Sequence, residues 1–135
     1  MRGLLIGLLL LAGGCATTPD QKQALAEAQS AEQAKLAGEL AGLTPGRPQS
    51  CIPQGLVHYS TKTIGSTILY RVDRKLVYRN DTTGGCEDPN GMNALVSRNF
   101  GAQLCSGQII ASVDVRNNFT LGSCALRDFV PYAAK

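Results

Sequence analysis

Tryptophan is absent from this chain, and only seven of its 135 residues are aromatic. Large stacking platforms for bases or sugars are therefore not expected. There is one histidine, His58, too few for a histidine-rich metal centre. No C-x-x-C pair occurs, no G-x-S-x-G elbow surrounds a serine, and no glycine-rich phosphate loop carries its lysine. Neither charge sign dominates. The formal charge is +3, and removing residues 1–14 would take away Arg2 alone. Bulk nucleic-acid binding needs a concentrated basic footprint, so no nucleic-acid partner is expected. No apolar run reaches the roughly 20 residues that span a bilayer as a helix.

The amino terminus carries the first positive signal. Arg2 precedes an uncharged apolar run from Leu4 to Leu11, then Ala12, Gly13 and Gly14, then Cys15. A charged start, a short apolar stretch and small residues mark a processed export segment rather than a retained helix. The order Leu11-Ala12-Gly13-Gly14-Cys15 resembles the lipobox of bacterial lipoproteins. That resemblance implies removal of residues 1–14 and acylation of Cys15. The bilayer would then be the first partner, because two or three chains hold far better than one. Ala16 follows the cysteine where aspartate would favour inner-membrane retention, which points to the outer membrane, facing the periplasm.

Residues 15–46 read as a tether. Asp20 is the expected N-cap of a helix over residues 21–43, a run of Ala, Gln, Glu, Lys and Leu without proline or β-branched residues. Leu36, Leu40 and Leu43 fall on one stripe, a candidate seam for self-association. Gly42, Thr44, Pro45 and Gly46 end the helix.

Residues 47–135 read as one small β domain. Cys51, Cys86, Cys105 and Cys124 remain after Cys15 is set aside. In an oxidising compartment an even set predicts disulfides. Four cysteines allow three pairings, and adjacent strands favour Cys105–Cys124 with Cys51–Cys86. A hairpin is expected from residues 67–72 and 76–79 around Asp73-Arg74-Lys75, followed by a loop from Asn80. A short helix is expected over residues 93–100. Residues 108–115 read as the longest buried strand, returning through Asn117-Asn118 into residues 119–126 with a bulge at Gly122. Residues 52–63 supply one more strand. The fold class is mainly β, a small, partly closed antiparallel barrel-like domain with disulfides behind an N-terminal tether helix.

Arg47-Pro48, Cys51-Ile52, Thr67-Ile68-Leu69-Tyr70, Cys86, Leu104-Cys105, Ser123-Cys124 and Phe129-Val130-Pro131-Tyr132 follow one another in an order that resembles a family of short bacterial exported proteins, grouped as a domain of unknown function. The resemblance spans residues 47–132. It implies a shared fold and transfers no activity.

No catalytic residue, metal ligand or cofactor site is expected. Glu87 and Asp88 flank Pro89-Asn90-Gly91 and read as a polar turn. Lys62, Arg71, Arg74, Lys75 and Arg79 crowd into eighteen residues. Of these Lys62, Arg71, Lys75 and Arg79 form a candidate anionic-ligand surface for lipid headgroups or an envelope polymer. The expected role is an envelope-anchored, non-enzymatic binding or structural module. The alternatives are a small periplasmic hydrolase or redox enzyme using His58 or a labile disulfide, and a self-associating module through the tether helix.

Overall fold

A computed structural model describes residues 17–55, 57–98 and 101–135. The leader and Cys15 lie outside the described residues.

Helix α1 spans Pro19–Glu39. Its N-cap is Thr18, not Asp20. Thr18 Oγ1 accepts from the Gln21 amide at 3.4 Å, and Gln21 Oε1 accepts from the Thr18 amide at 3.0 Å. This reciprocal box satisfies two orphan donors, and Pro19 occupies the first turn, where its missing N–H costs nothing. The helix ends at Glu39 rather than Leu43. Residues 40–43 continue as turns, with Gly42 at φ 78°, a left-handed conformation suited to glycine.

Among the described residues ten strands follow: β1 Thr44–Pro45, β2 Cys51–Pro53, β3 Ser60–Ile64, β4 Thr67–Arg71, β5 Leu76–Asp81, β6 Asn93–Ser97, β7 Gln103–Cys105, β8 Ile109–Asp114, β9 Phe119–Ala125 and β10 Phe129–Ala133. They form three open antiparallel sheets. The main sheet has the order β1-β10-β5-β4-β3, the second β2-β7, the third β6-β8-β9. The fold is mainly β with an N-terminal helix, as expected, and none of the sheets closes on itself.

The main sheet is covered on both faces. Ile68, Tyr70 and Phe129 pack with Ile52, Leu104, Ile110 and Leu126 from the smaller sheets and adjoining chain. On the opposite face Ile64, Leu69 and Val77 pack with Leu36 and Leu40 of α1, with Leu43 and Tyr132 at the margin. This explains β4. Thr67, Ile68, Leu69 and Tyr70 are all buried, because alternate side chains enter two different cores.

The segments read only partly from sequence differ in informative ways. Residues 93–97 form β6, not a helix, because β8 offers them a complete antiparallel ladder from Asn93↔Asp114 to Ser97↔Ile110. Asn99 and Phe100 lie outside the described residues. Asn80 belongs to β5 and is fully buried. Its Nδ2 donates to the Arg127 carbonyl at 2.6 Å, and its Oδ1 accepts from the Arg127 amide at 3.0 Å. A side chain thereby extends the β5–β10 pairing past Phe129, the first residue of β10. The stretch expected as one strand between residues 52 and 63 supplies parts of two, β2 and β3. β9 at seven residues is longer than β8 at six, and β8 is only partly buried. The bulge lies where expected. Ser112 opposes Gly122 and Val113 opposes Thr120, which leaves Leu121 as the extra residue. A side chain at Gly122 would overlap the Gly85 carbonyl, which approaches the strand directly.

Both disulfides form, with a different pairing from the one favoured above: Cys51–Cys105 and Cys86–Cys124. Cys105 ends β7, which leaves the third sheet to pair with β2, directly opposite Cys51. Cys124 lies in β9, in another sheet, so the two cysteines are not cross-strand neighbours. Cys86 and Cys124 are buried in the core, whereas Cys51 and Cys105 are half-buried.

Candidate functional site

Lys62, Arg71 and Arg79 do share one face of the main sheet. In the β3–β4–β5 register Lys62 lies opposite Leu69, which in turn lies opposite Arg79. It is the face on which α1 docks. Glu39, the last residue of the helix, lies between two of the cations. Lys62 Nζ is 2.5 Å from Glu39 Oε1, and Arg71 Nη2 is 3.3 Å from Oε2. The same Arg71 nitrogen donates to the Glu39 carbonyl at 2.9 Å. A helix end leaves carbonyls unpaired and carries partial negative charge, which an acidic terminal residue worsens. Arg71 offsets both by capping the end from the neighbouring sheet. The hydrogen bond from Lys62 holds the Glu39 carboxyl below the usual range, with Arg71 adding to the effect and partial burial opposing it.

Arg79 Nε donates to Asp81 Oδ1 at 2.9 Å, and Thr67 Oγ1 donates to the same oxygen at 2.7 Å. Its guanidinium is held above its ordinary pKa; burial pulls the other way, and the bonds to Asp81 and Tyr132 outweigh it. Lys75 is exposed at the β4–β5 turn. The basic cluster thus docks the helix and braces the sheet, with Lys75 outside these ion pairs. Strand alternation accounts for Arg71 and Arg79 sharing a face, while Lys75 lies in the turn between their strands; Glu39, the acidic partner of both Lys62 and Arg71, is 23 and 32 residues away from them and carries no local signal.

His58 is exposed in the segment between β2 and β3. Nearby, Tyr59 forms edge contacts with Tyr70 and Tyr78, at centroid distances of 5.9 and 6.2 Å, and donates to the Pro53 carbonyl at 2.6 Å. Burial raises the Tyr59 and Tyr70 hydroxyls above their ordinary pKa. Among the described residues no group of three or more His, Cys, Asp or Glu side chains is placed to hold a metal ion.

A cleft of about 740 Å³ opens between α1, β3 and residues 87–91, with Asn93 and Leu95 of β6 at its far wall. Nothing local marks it, because its walls come from four segments that are each unremarkable alone. Glu87 and Asp88 shape one side. Both Glu87 oxygens accept from the Gly85 amide, at 3.1 and 2.9 Å. Asp88 accepts from the Met92 and Asn93 amides at 3.3 and 2.9 Å. Their carboxylates tie the turn, in keeping with the polar-turn reading. On the other side, Gly65 at φ 55° opens the two-residue β3–β4 loop, as a hairpin turn of type II′ requires. The Glu32 carboxylate packs so closely on Gly65 that any Cβ there would overlap it, which joins helix and hairpin at the cleft.

No family model, no curated protein and no solved structure matches the chain.

Proposed function

We propose that the chain is an envelope lipoprotein, anchored through acylated Cys15, whose folded part is a non-enzymatic binding or structural module. The observation that carries the anchor is the leader itself: Arg2, the apolar run from Leu4 to Leu11, small residues, then a cysteine with no partner among the four of the domain. Ala16 supports the outer membrane, facing the periplasm. No helix among the described residues is long and apolar enough to cross a membrane.

The module reading is supported by where the chemically capable side chains go. Four cysteines staple the sheets, three cations brace the helix and sheet, and two acids tie a turn. What faces outward is a rigid scaffold with an open cleft. One feature favours a redox alternative: the half-buried Cys51–Cys105 bridge. Labelled palmitate should enter the wild-type protein in growing cells and not the Cys15→Ser variant. Equal labelling of both, or of neither, would contradict the anchor.

A further inference from the structure

The cleft is bounded by an unpaired strand edge. β3 is the last strand of the main sheet, and its outer side faces the cleft. Ile64 and Thr67 flank the two-residue loop. Such a pair exchanges both backbone hydrogen bonds, and the pattern then alternates along the ladder. Ile64, Lys62 and Ser60 therefore bond to β4, while Thr61 and Thr63 direct their N–H and C=O groups outward. Among the described residues, no backbone or side-chain group pairs with them. The far wall is β6, the edge strand of the third sheet, through Asn93 and Leu95. Two edges of separate sheets thus border one gap.

We infer that this cleft takes an extended segment of another polypeptide, which adds to β3 as a further strand. The occupant follows from the wall chemistry. Outward amide and carbonyl groups repeat about 6.6 Å apart, the spacing of alternate residues in a strand, and a peptide backbone matches that repeat. The walls carry Glu32, Glu87 and Asp88 against Lys35 and Lys62, and Lys62 is already paired with Glu39, so the lining has a modest acidic excess. A segment of low net charge fits this lining better than a polyanion. Side chains on the added strand would alternate. One set lies beside Thr61, Thr63 and Leu95, on the side of the main core, and favours apolar residues. The other lies beside Lys62 and Ile64, towards Glu32 and Lys35 of α1, and favours polar ones. A second copy of the folded chain is a poor occupant, because its own β3 sits within a sheet and cannot enter a cleft as a single strand.

The inference rests on the binding-module reading and is independent of the anchor. Its test uses the mature protein in detergent and a display library of random heptapeptides. Selected peptides should show period-two alternation of apolar and polar residues. With such a peptide at saturation, the Thr61 and Thr63 amides should exchange with solvent at least about tenfold more slowly, while Lys62 and Ile64 stay unchanged. Backbone N-methylation of alternate peptide residues should abolish binding. Thr63→Pro, which removes an outward donor without touching the β4 ladder, should weaken it by about tenfold. Failure to select any peptide, or equal binding of the N-methylated form, would overturn the inference. Protection confined to the outer face of the third sheet would also overturn it, and would leave the binding-module reading standing at a different surface.

Discussion

Two buried polar residues have opposite environments. Asn80 is fully buried, and its amide satisfies both backbone groups of Arg127. Ser112 is equally buried, yet its hydroxyl has no hydrogen-bond partner among the described residues. Removing one side of a buried hydrogen-bonded pair leaves the other desolvated, at a cost of about 1–3 kcal/mol per group. Urea unfolding should therefore show Asn80→Ala destabilised by about 2–6 kcal/mol, two groups being orphaned, whereas Ser112→Ala should be neutral or more stable. Glu39 gives a pH dependence at the same scale. Its folded pKa is depressed, chiefly by the Lys62 hydrogen bond. Its contribution is complete above the ordinary glutamate value and is lost as pH falls through the lower folded value. Acid titration followed by unfolding should lose this increment in the wild type, and Glu39→Gln should flatten that part of the curve. Sequence alone could not have found either residue's role, because Arg127 and Arg71 lie 47 and 32 positions away.

At the level of elements, local pattern was informative wherever the partner was adjacent in sequence. The β4–β5 hairpin announced itself through Asp73-Arg74-Lys75. Asp73 Oδ1 accepts from the Lys75 and Leu76 amides at 2.6 and 2.9 Å and closes that turn. The β8–β9 return was equally legible, with Asn118 at φ 53° in the turn. The capping box Thr18-Pro19-Asp20-Gln21 is legible in the sequence, but Asp20 has the same propensity and points two residues too far along. The local pattern of residues 93–97 favours helix, and their strand identity comes from pairing with β8. The leucine stripe was correctly located, but its partner is the chain's own sheet: Leu36 and Leu40 are 4% and 8% exposed, while Leu25 near the start of the helix is 57% exposed. Leu40→Ala should cost about 2–4 kcal/mol and speed amide exchange across α1. Sedimentation of the wild type should show no association through Leu36, Leu40 and Leu43, since that stripe is already occupied.

The whole molecule is a central sheet between a helix and two smaller sheets, with covalent ties in the second layer. The disulfides close loops with sequence separations of 54 and 38 residues, and each constrains the unfolded chain by about 4 kcal/mol in the chain-entropy model. For a domain this small that is a large fraction of net stability. The ties are not equally accessible. Mild reductant with alkylation and peptide mapping should label Cys51 and Cys105 before Cys86 and Cys124, because only the first pair is partly exposed. Pairing was not legible from spacing, since it depends on β7 leaving its sequence neighbour β8 to join β2. The cleft was equally hidden, because it exists only once the edges of two sheets face a common gap. The division of the five cysteines into one for anchorage and four for stapling is the central claim, and the intact mass of the protein extracted from membranes tests it most directly. The account predicts a chain starting at Cys15, carrying a diacylglyceryl group and an N-acyl group, with no free thiol at the other four positions. A chain that keeps residues 1–14, or an unmodified Cys15, would contradict it.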